Sequence, residues 1–309
     1  MAVQNLNKMK KKPFDWKRAL FIVAMLAIPI IHFLIFFIYV NIDSLVMTFR
    51  VYDHATGTIR WGTDNYTRFF KETFNKSYTG IRTAVLNSLF FGLNDILLIL
   101  LSLVLSYFFF KKIPGRSFFR IIFFLPSIIS IVVYTMAYSF MFTPGTGPIN
   151  MLIEALGGTA PVWLGDMWLA RLLVAVYCLW VGTGYNILIF GGAMANLNSE
   201  VIEYAKLDGV GMGRELFQII LPMIWPTLSV AFLGSVTTVF TLFLQVQLVA
   251  GGSNPFSPKT IAFLINSNIT SPSNRTWAAT IGICFTVVAT PMILGVRKII
   301  DVIGKKFGY

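Results

Sequence analysis

The sequence predicts an all-α integral membrane protein with six transmembrane helices, and three observations carry that prediction. Only 12% of the 309 residues are charged and 56% are hydrophobic, where soluble globular domains run at about 25% and 45–50%. With so little charge the chain cannot clothe a water-facing surface of its size, and its mean hydropathy is +0.73. A helix needs about 20 apolar residues to cross a hydrocarbon core. Six runs meet that length: 19–41, 84–110, 118–142, 169–193, 223–249 and 277–300. None shows the alternation of a membrane-barrel strand. A cytosolic enzyme, a secreted disulfide scaffold and a disordered tail are thereby excluded.

The first run is too long for a signal-peptide core and no small-residue cleavage site follows it, so a retained helix is expected. Cys178 and Cys284 both sit in apolar runs, which points to packing rather than to a disulfide framework or a metal site. The net charge of +12 would suggest nucleic acid in a soluble chain. In a membrane protein the position of the charges matters more than their sum, and no nucleic-acid partner is expected. Lys8, Lys10, Lys11, Lys12, Lys17 and Arg18 precede the first run, and Lys111, Lys112, Arg116 and Arg120 follow the second. Lys206 and Arg214 follow the fourth, and Arg297, Lys298, Lys305 and Lys306 close the chain. Alternating spans put all of these on one side, whereas 144–168 on the other side has only Glu154 and Asp166. Both termini are therefore expected in the cytoplasm. The expected organisation is a basic arm over 1–18, then one membrane domain over 19–309 with an external segment at 42–83. The two halves show no duplication of the kind many secondary transporters carry.

The connection 194–222 is the most informative stretch. Residues 199–207 fit a short helix, with Ser199 as cap and Glu200 and Glu203 near the positive end of its dipole. Asp208-Gly209 breaks it, because glycine tolerates the positive φ of a helix stop. A second amphipathic helix with Leu216, Phe217, Ile219 and Ile220 then runs to Leu221-Pro222. Glu203, Ala205, Gly209, Ile219, Leu221 and Pro222 stand in the register Glu-Ala-Ala, three residues, Gly, nine residues, Ile-x-Leu-Pro. In that register the chain resembles the membrane subunits of ATP-binding-cassette importers, departing at Tyr204, where the pattern has its first alanine. Further pieces resemble the carbohydrate-uptake permeases of this type I importer family, the maltose and multiple-sugar kind. They are Asp64-Asn-Tyr-Thr-Arg-Phe-Phe70, Arg120-x-x-Phe-Phe-Leu-Pro126, Gly147-Pro-Ile-Asn150 and Trp180-x-Gly-x-Gly-x-Asn186. The resemblance covers nearly all of the chain from about residue 15.

The resemblance implies the type I importer permease fold and a coupling helix at 199–222, with Glu203, Tyr204, Ala205, Asp208, Gly209, Phe217, Ile219, Leu221 and Pro222 engaging an ATPase. It also implies a second homologous permease, a cytoplasmic ATPase dimer holding ATP and Mg, an extracellular substrate-binding protein and a bacterial plasma membrane. This polypeptide has no Gly-x-x-x-x-Gly-Lys-Ser/Thr loop to cradle ATP phosphates, and it offers no cluster for hydrolysis or metal chemistry. No cofactor and no enzymatic activity are expected of the chain itself.

Polar groups inside spans need partners or water, so they are the candidates for a translocation route. Asp95 leads, since a mid-span carboxylate costs about 2.5–3.5 kcal/mol on insertion scales. Asn87 and Asn94 accompany it, and Asn186 lies in the fourth span. Gly234, Thr238, Thr241 and Gln245 are spaced as one stripe of a helix, which fits either a pathway or a packing face. Tyr134, Tyr138 and Trp180 offer ring faces to a sugar, or anchor at an interface. Two alternatives stay open: another polar cargo such as polyamine or phosphate, and an ion-coupled secondary transporter with Asp95 as the coupling group.

Overall fold

The computed structural model describes residues 16–53, 57–75, 80–251 and 254–308. Lys8, Lys10, Lys11 and Lys12 of the expected arm lie outside them. A long helix α1 (Trp16–Thr48) opens the described chain. A hairpin of β1 (Arg50–Tyr52) and β2 (Ile59–Trp61) and the short helix α2 (Asp64–Phe74) follow. Next come α3 (Gly80–Phe110), α4 (Arg116–Ile128), α5 (Ile131–Met141), α6 (Pro148–Ala155) and α7 (Met167–Ala195). Then α8 (Ser199–Leu207), α9 (Met212–Met223) and α10 (Trp225–Thr241) form one bent run. The chain closes with α11 (Leu244–Ala250), α12 (Ile261–Ile269) and α13 (Arg275–Lys306).

Among the described residues four helices alone are long and apolar enough to cross a membrane, and six spans result if each of two bent pairs counts as one. The bends correct two sequence expectations. The third span is not one straight helix over 118–142, because α4 and α5 meet at 108°. Pro126 lacks the N–H that would bond one turn back, and Ile129 and Ser130 are extended. Likewise 223–249 is not continuous. Helix α10 is entered from α9 through an 82° bend, and it stops at Thr241, where Leu242 turns extended. The Leu242 carbonyl so released is met by the Thr260 hydroxyl, as backbone within a membrane requires.

The first two thirds of α1, Trp16–Tyr39, bury no residue, and Leu20, Phe21, Ile28 and Phe36 all point outward. Such a face is tenable in hydrocarbon and not in water. The last part, Val40–Thr48, packs against α13. The hairpin, registered Val51↔Arg60, sits at this end of the bundle, and Asn65 of α2 ties it down by donating to the carbonyls of Thr48 and Arg50 at 3.2 and 2.9 Å.

Helix α3 is the central post: α7 runs along it and α10 packs on it, while α4 crosses α7. Three glycines make these approaches possible. A Cβ on Gly92 would strike Val239, one on Gly182 would strike Leu98, and one on Gly184 would fall on the Phe123 carbonyl. Small residues at membrane helix crossings serve this purpose, which explains Trp180-x-Gly-x-Gly in structural terms. One core, with Leu103, Tyr107, Phe190, Ile220 and Leu228, lies at the end bearing α8 and α9. Two others, around Tyr177 and around Trp277, lie toward the hairpin end.

Candidate functional site

Two regions hold most of the predicted residues. In the first, Asn198 caps α8, accepting from the Glu200 N–H at 3.0 Å, so the cap is one residue earlier than the expected Ser199. At the other end Gly209 takes φ +67. The N–H groups of Gly209 and Val210 bond the carbonyls of Lys206 and Ala205 at 3.1 and 3.0 Å, which is the double closure of a Schellman stop. Helix α9 winds with wider turns over Glu215–Ile220 and then bends into α10 at Ile224.

The side chains divide cleanly. Ile202, Ala205, Leu216 and Ile220 are buried against the bundle, with Ile219, Leu221 and Pro222 half-buried. Glu203, Asp208 and Phe217 face out, as does Tyr204 at 66% exposed. The outward position explains why a tyrosine stands where the pattern has alanine: the ring meets no wall. Leu207, 82% exposed, and Met212 are uncovered apolar residues of the same loop, as Tyr204 and Phe217 are. Leu207 and Met212 were missed in the sequence. The available signal was two large apolar residues flanking the glycine turn of an otherwise polar stretch.

One charged pair ties this region to the rest. Lys111 Nζ donates to both carboxylate oxygens of Glu215, at 2.7 and 2.6 Å, and Glu215 is only 2% exposed.

The second region is a pair of cavities between α3, α7 and α10. One, of about 260 Å³, is lined by Asn94, Asp95, Tyr177, Thr238, Thr241 and Gln245, together with Phe91 and Cys178. The other, of about 710 Å³, is lined by Asp95, Tyr185, Asn186, Gly234, Thr237 and Thr238. Asp95 and Thr238 line both, with the Thr238 hydroxyl donating to Asp95 Oδ2 at 3.4 Å. Asp95 is the single charged side chain in either lining. Asn94 donates to the Ala175 carbonyl at 3.3 Å and Asn186 to that of Gly182 at 3.1 Å, leaving each amide oxygen available. Gln245 stands on α11 rather than on the helix of Thr238 and Thr241, yet the kink returns it to the same space.

Four of the predicted pathway residues lie elsewhere. Asn87 is buried and donates to the Lys259 carbonyl at 2.9 Å. Tyr138 is buried and donates to the Leu173 carbonyl at 3.0 Å. Tyr134 packs edge-on against Trp180, centroids 5.5 Å apart, and also touches Tyr177. None of the four lines either cavity. Among the described residues no group of three His, Cys, Asp or Glu is placed to hold a metal.

A family model described as "binding-protein-dependent transport system inner membrane component" matches residues 98–307. A probable ABC transporter permease protein, YurN of Bacillus subtilis, is 34% identical over 137 residues, covering 44% of this chain and 47% of the relative. The maltose/maltodextrin transport system permease protein MalF of Klebsiella aerogenes is 28% identical over 199 residues, covering 64% and 38%. The matched region is thus less than half the length of either relative. In solved structures, a chain of a bacterial alginate ABC transporter, in complex with an alginate pentasaccharide-bound periplasmic protein, superposes with TM-score 0.81 at 22% identity. That match covers 94% of this chain and 96% of the other. A second structure, of a bacterial ABC transporter involved in import of the acidic polysaccharide alginate, gives TM-score 0.76 at 24% identity, covering 93% and 97%. These two likenesses concern the fold.

Proposed function

Since this chain belongs to the binding-protein-dependent transport system inner membrane component family, we propose that it is the permease subunit of an ATP-driven importer for a sugar or oligosaccharide. It pairs with a second, homologous permease in a bacterial plasma membrane, with both termini in the cytoplasm. An ATPase dimer carrying ATP and Mg grips α8 and α9, and an extracellular binding protein delivers the solute at the opposite face. The observation that carries the reading is the set of uncovered apolar residues Tyr204 and Leu207 on α8 and Met212 and Phe217 on α9, the second of these helices joined without a loop to α10. Displacement of these residues turns α10, and with it Thr238 and Thr241 in the cavity wall. A rigid connection of this kind biases two arrangements of the route, and alternating access needs no more.

The cargo class rests on the lining and on the relatives. Amides and hydroxyls of Asn94, Asn186, Thr238, Thr241 and Gln245 suit a polyol. MalF bears the name of a maltose/maltodextrin permease, and the two structural neighbours handle alginate.

The test uses Gly209→Pro and Glu203→Lys in the assembled transporter. Proline cannot take φ +67 and removes the N–H that closes α8. Both variants are expected to insert in the membrane normally, bind the ATPase poorly and import nothing. Uptake at the parental rate in both would overturn the coupling role.

A further inference from the structure

We propose that the Lys111–Glu215 ion pair is a coupling strut: it makes α3 move with the α8–α9 loop, so that the α3 wall of the cavity answers to the same displacement as the α7 and α10 walls. The inference rests on the coupling role proposed above and adds residues that role does not contain.

Two walls of the cavity are continuous with the loop: α7 leads into α8 through residues 196–198, and α10 follows α9 directly. Asp95 stands on the third, α3, which is parted from α8 by residues 111–198 and the helices α4 to α7. Lys111 follows the last residue of α3, and its N–H still bonds the Tyr107 carbonyl at 2.9 Å. Lys112 then takes a left-handed φ of 58 and ends the run, so the base of the Lys111 side chain is set by the helix. The ammonium lies 5.8 Å from the centre of the Tyr107 ring and reaches both oxygens of Glu215. Glu215 begins the wide-turned stretch of α9 and is buried.

Sixteen residues separate Asp95 from Lys111, a rise of about 24 Å along α3. At the upper end the Thr238 hydroxyl of α10 shares its proton between Asp95 and the Gly234 carbonyl of its own helix, 3.4 and 3.2 Å away, and at the lower end Lys111 donates to Glu215 of α9. The two elements are therefore joined at both ends, with apolar packing of Leu103 and Tyr107 against Ile220 and Leu228 between. Apolar surfaces can slide past one another at little cost. A buried, twofold-bonded charge pair cannot, because any slip leaves a carboxylate unpaired away from water. This pair sets the register of the packing between the ends.

The test measures solute imported per ATP hydrolysed in proteoliposomes of the complete assembly, with thermal unfolding of each variant as control. Glu215→Gln and Lys111→Gln are expected to retain ATP hydrolysis while solute per ATP falls roughly three- to thirtyfold, the range for residues that carry coupling between sites. The exchange Lys111→Glu with Glu215→Lys restores most of the ratio, even where a single variant assembles poorly. A parental ratio in both single variants would overturn the strut, and so would an exchanged pair that assembles and hydrolyses ATP without recovering transport. If instead Gly209→Pro transports normally, the coupling role itself is wrong and not the strut alone.

Discussion

The loop of α8 and α9 and the cavity beside α3 are built in opposite senses. The loop turns Tyr204, Leu207, Met212 and Phe217 outward and buries one of its carboxylates, Glu215, with a lysine. The cavity turns its carboxylate inward at Asp95, gives it one hydroxyl, and leaves apolar residues such as Leu98 and Val181 in the wall. On the proposed function, an apolar surface suits a permanent protein partner, which keeps water away. A route for a polar solute would have to stay wet, with donors and acceptors that exchange partners as the solute passes.

Substitutions can break or sharpen this contrast. The largest effect is expected from Leu207→Asp, which puts charge at the most exposed apolar point of the loop. ATPase binding should weaken by about 2–4 kcal/mol, as when an interface anchor is lost, while the melting temperature of the isolated chain stays put; unchanged pull-down of the ATPase would erase the contrast. Asp95→Asn tests the other side. Losing a charged acceptor is worth about 1.5–3 kcal/mol, so transport should fall roughly tenfold or more with ATPase binding intact. Equal loss of ATPase binding would show that the two regions are not separable. Asn87→Ala should cost about 1–2 kcal/mol of stability, because the Lys259 carbonyl loses its donor. Transport kinetics of the folded protein should not change, and a raised KM for solute would place Asn87 in the route after all. Smallest of all, Asp64→Asn removes the exposed pair with Arg60, 2.9 Å apart. A change below about 0.5 kcal/mol is expected in thermal unfolding.

The loop was legible in the sequence and the cavity only partly so, for the same physical reason. Helix, glycine stop and second helix are local, so spacing within twenty residues is enough to lay them out. The cavity is assembled from α3, α7, α10 and α11, and spacing along one helix cannot say what crosses it. Asn87 lies two turns from Asn94 on a shared face, but the chain before α12 passes there and takes its amide. The 108° bend after Ile128 sets α5 so that Tyr138 bonds to α7 and Tyr134 packs tilted and edge-on against its rings. Conversely Gln245 reaches the cavity although its helix is not the one its spacing suggested. The Lys111–Glu215 pair joins residues with no local signature at all.

The meeting of Gly184 with the Phe123 carbonyl has its own mechanical result. Where two backbones touch with no side chain between them, there is nothing to compress and little to shear. Helix α4 can tilt about that spot as a beam tilts on a fulcrum. A push at its Arg116 end would then swing its Ile128 end the other way.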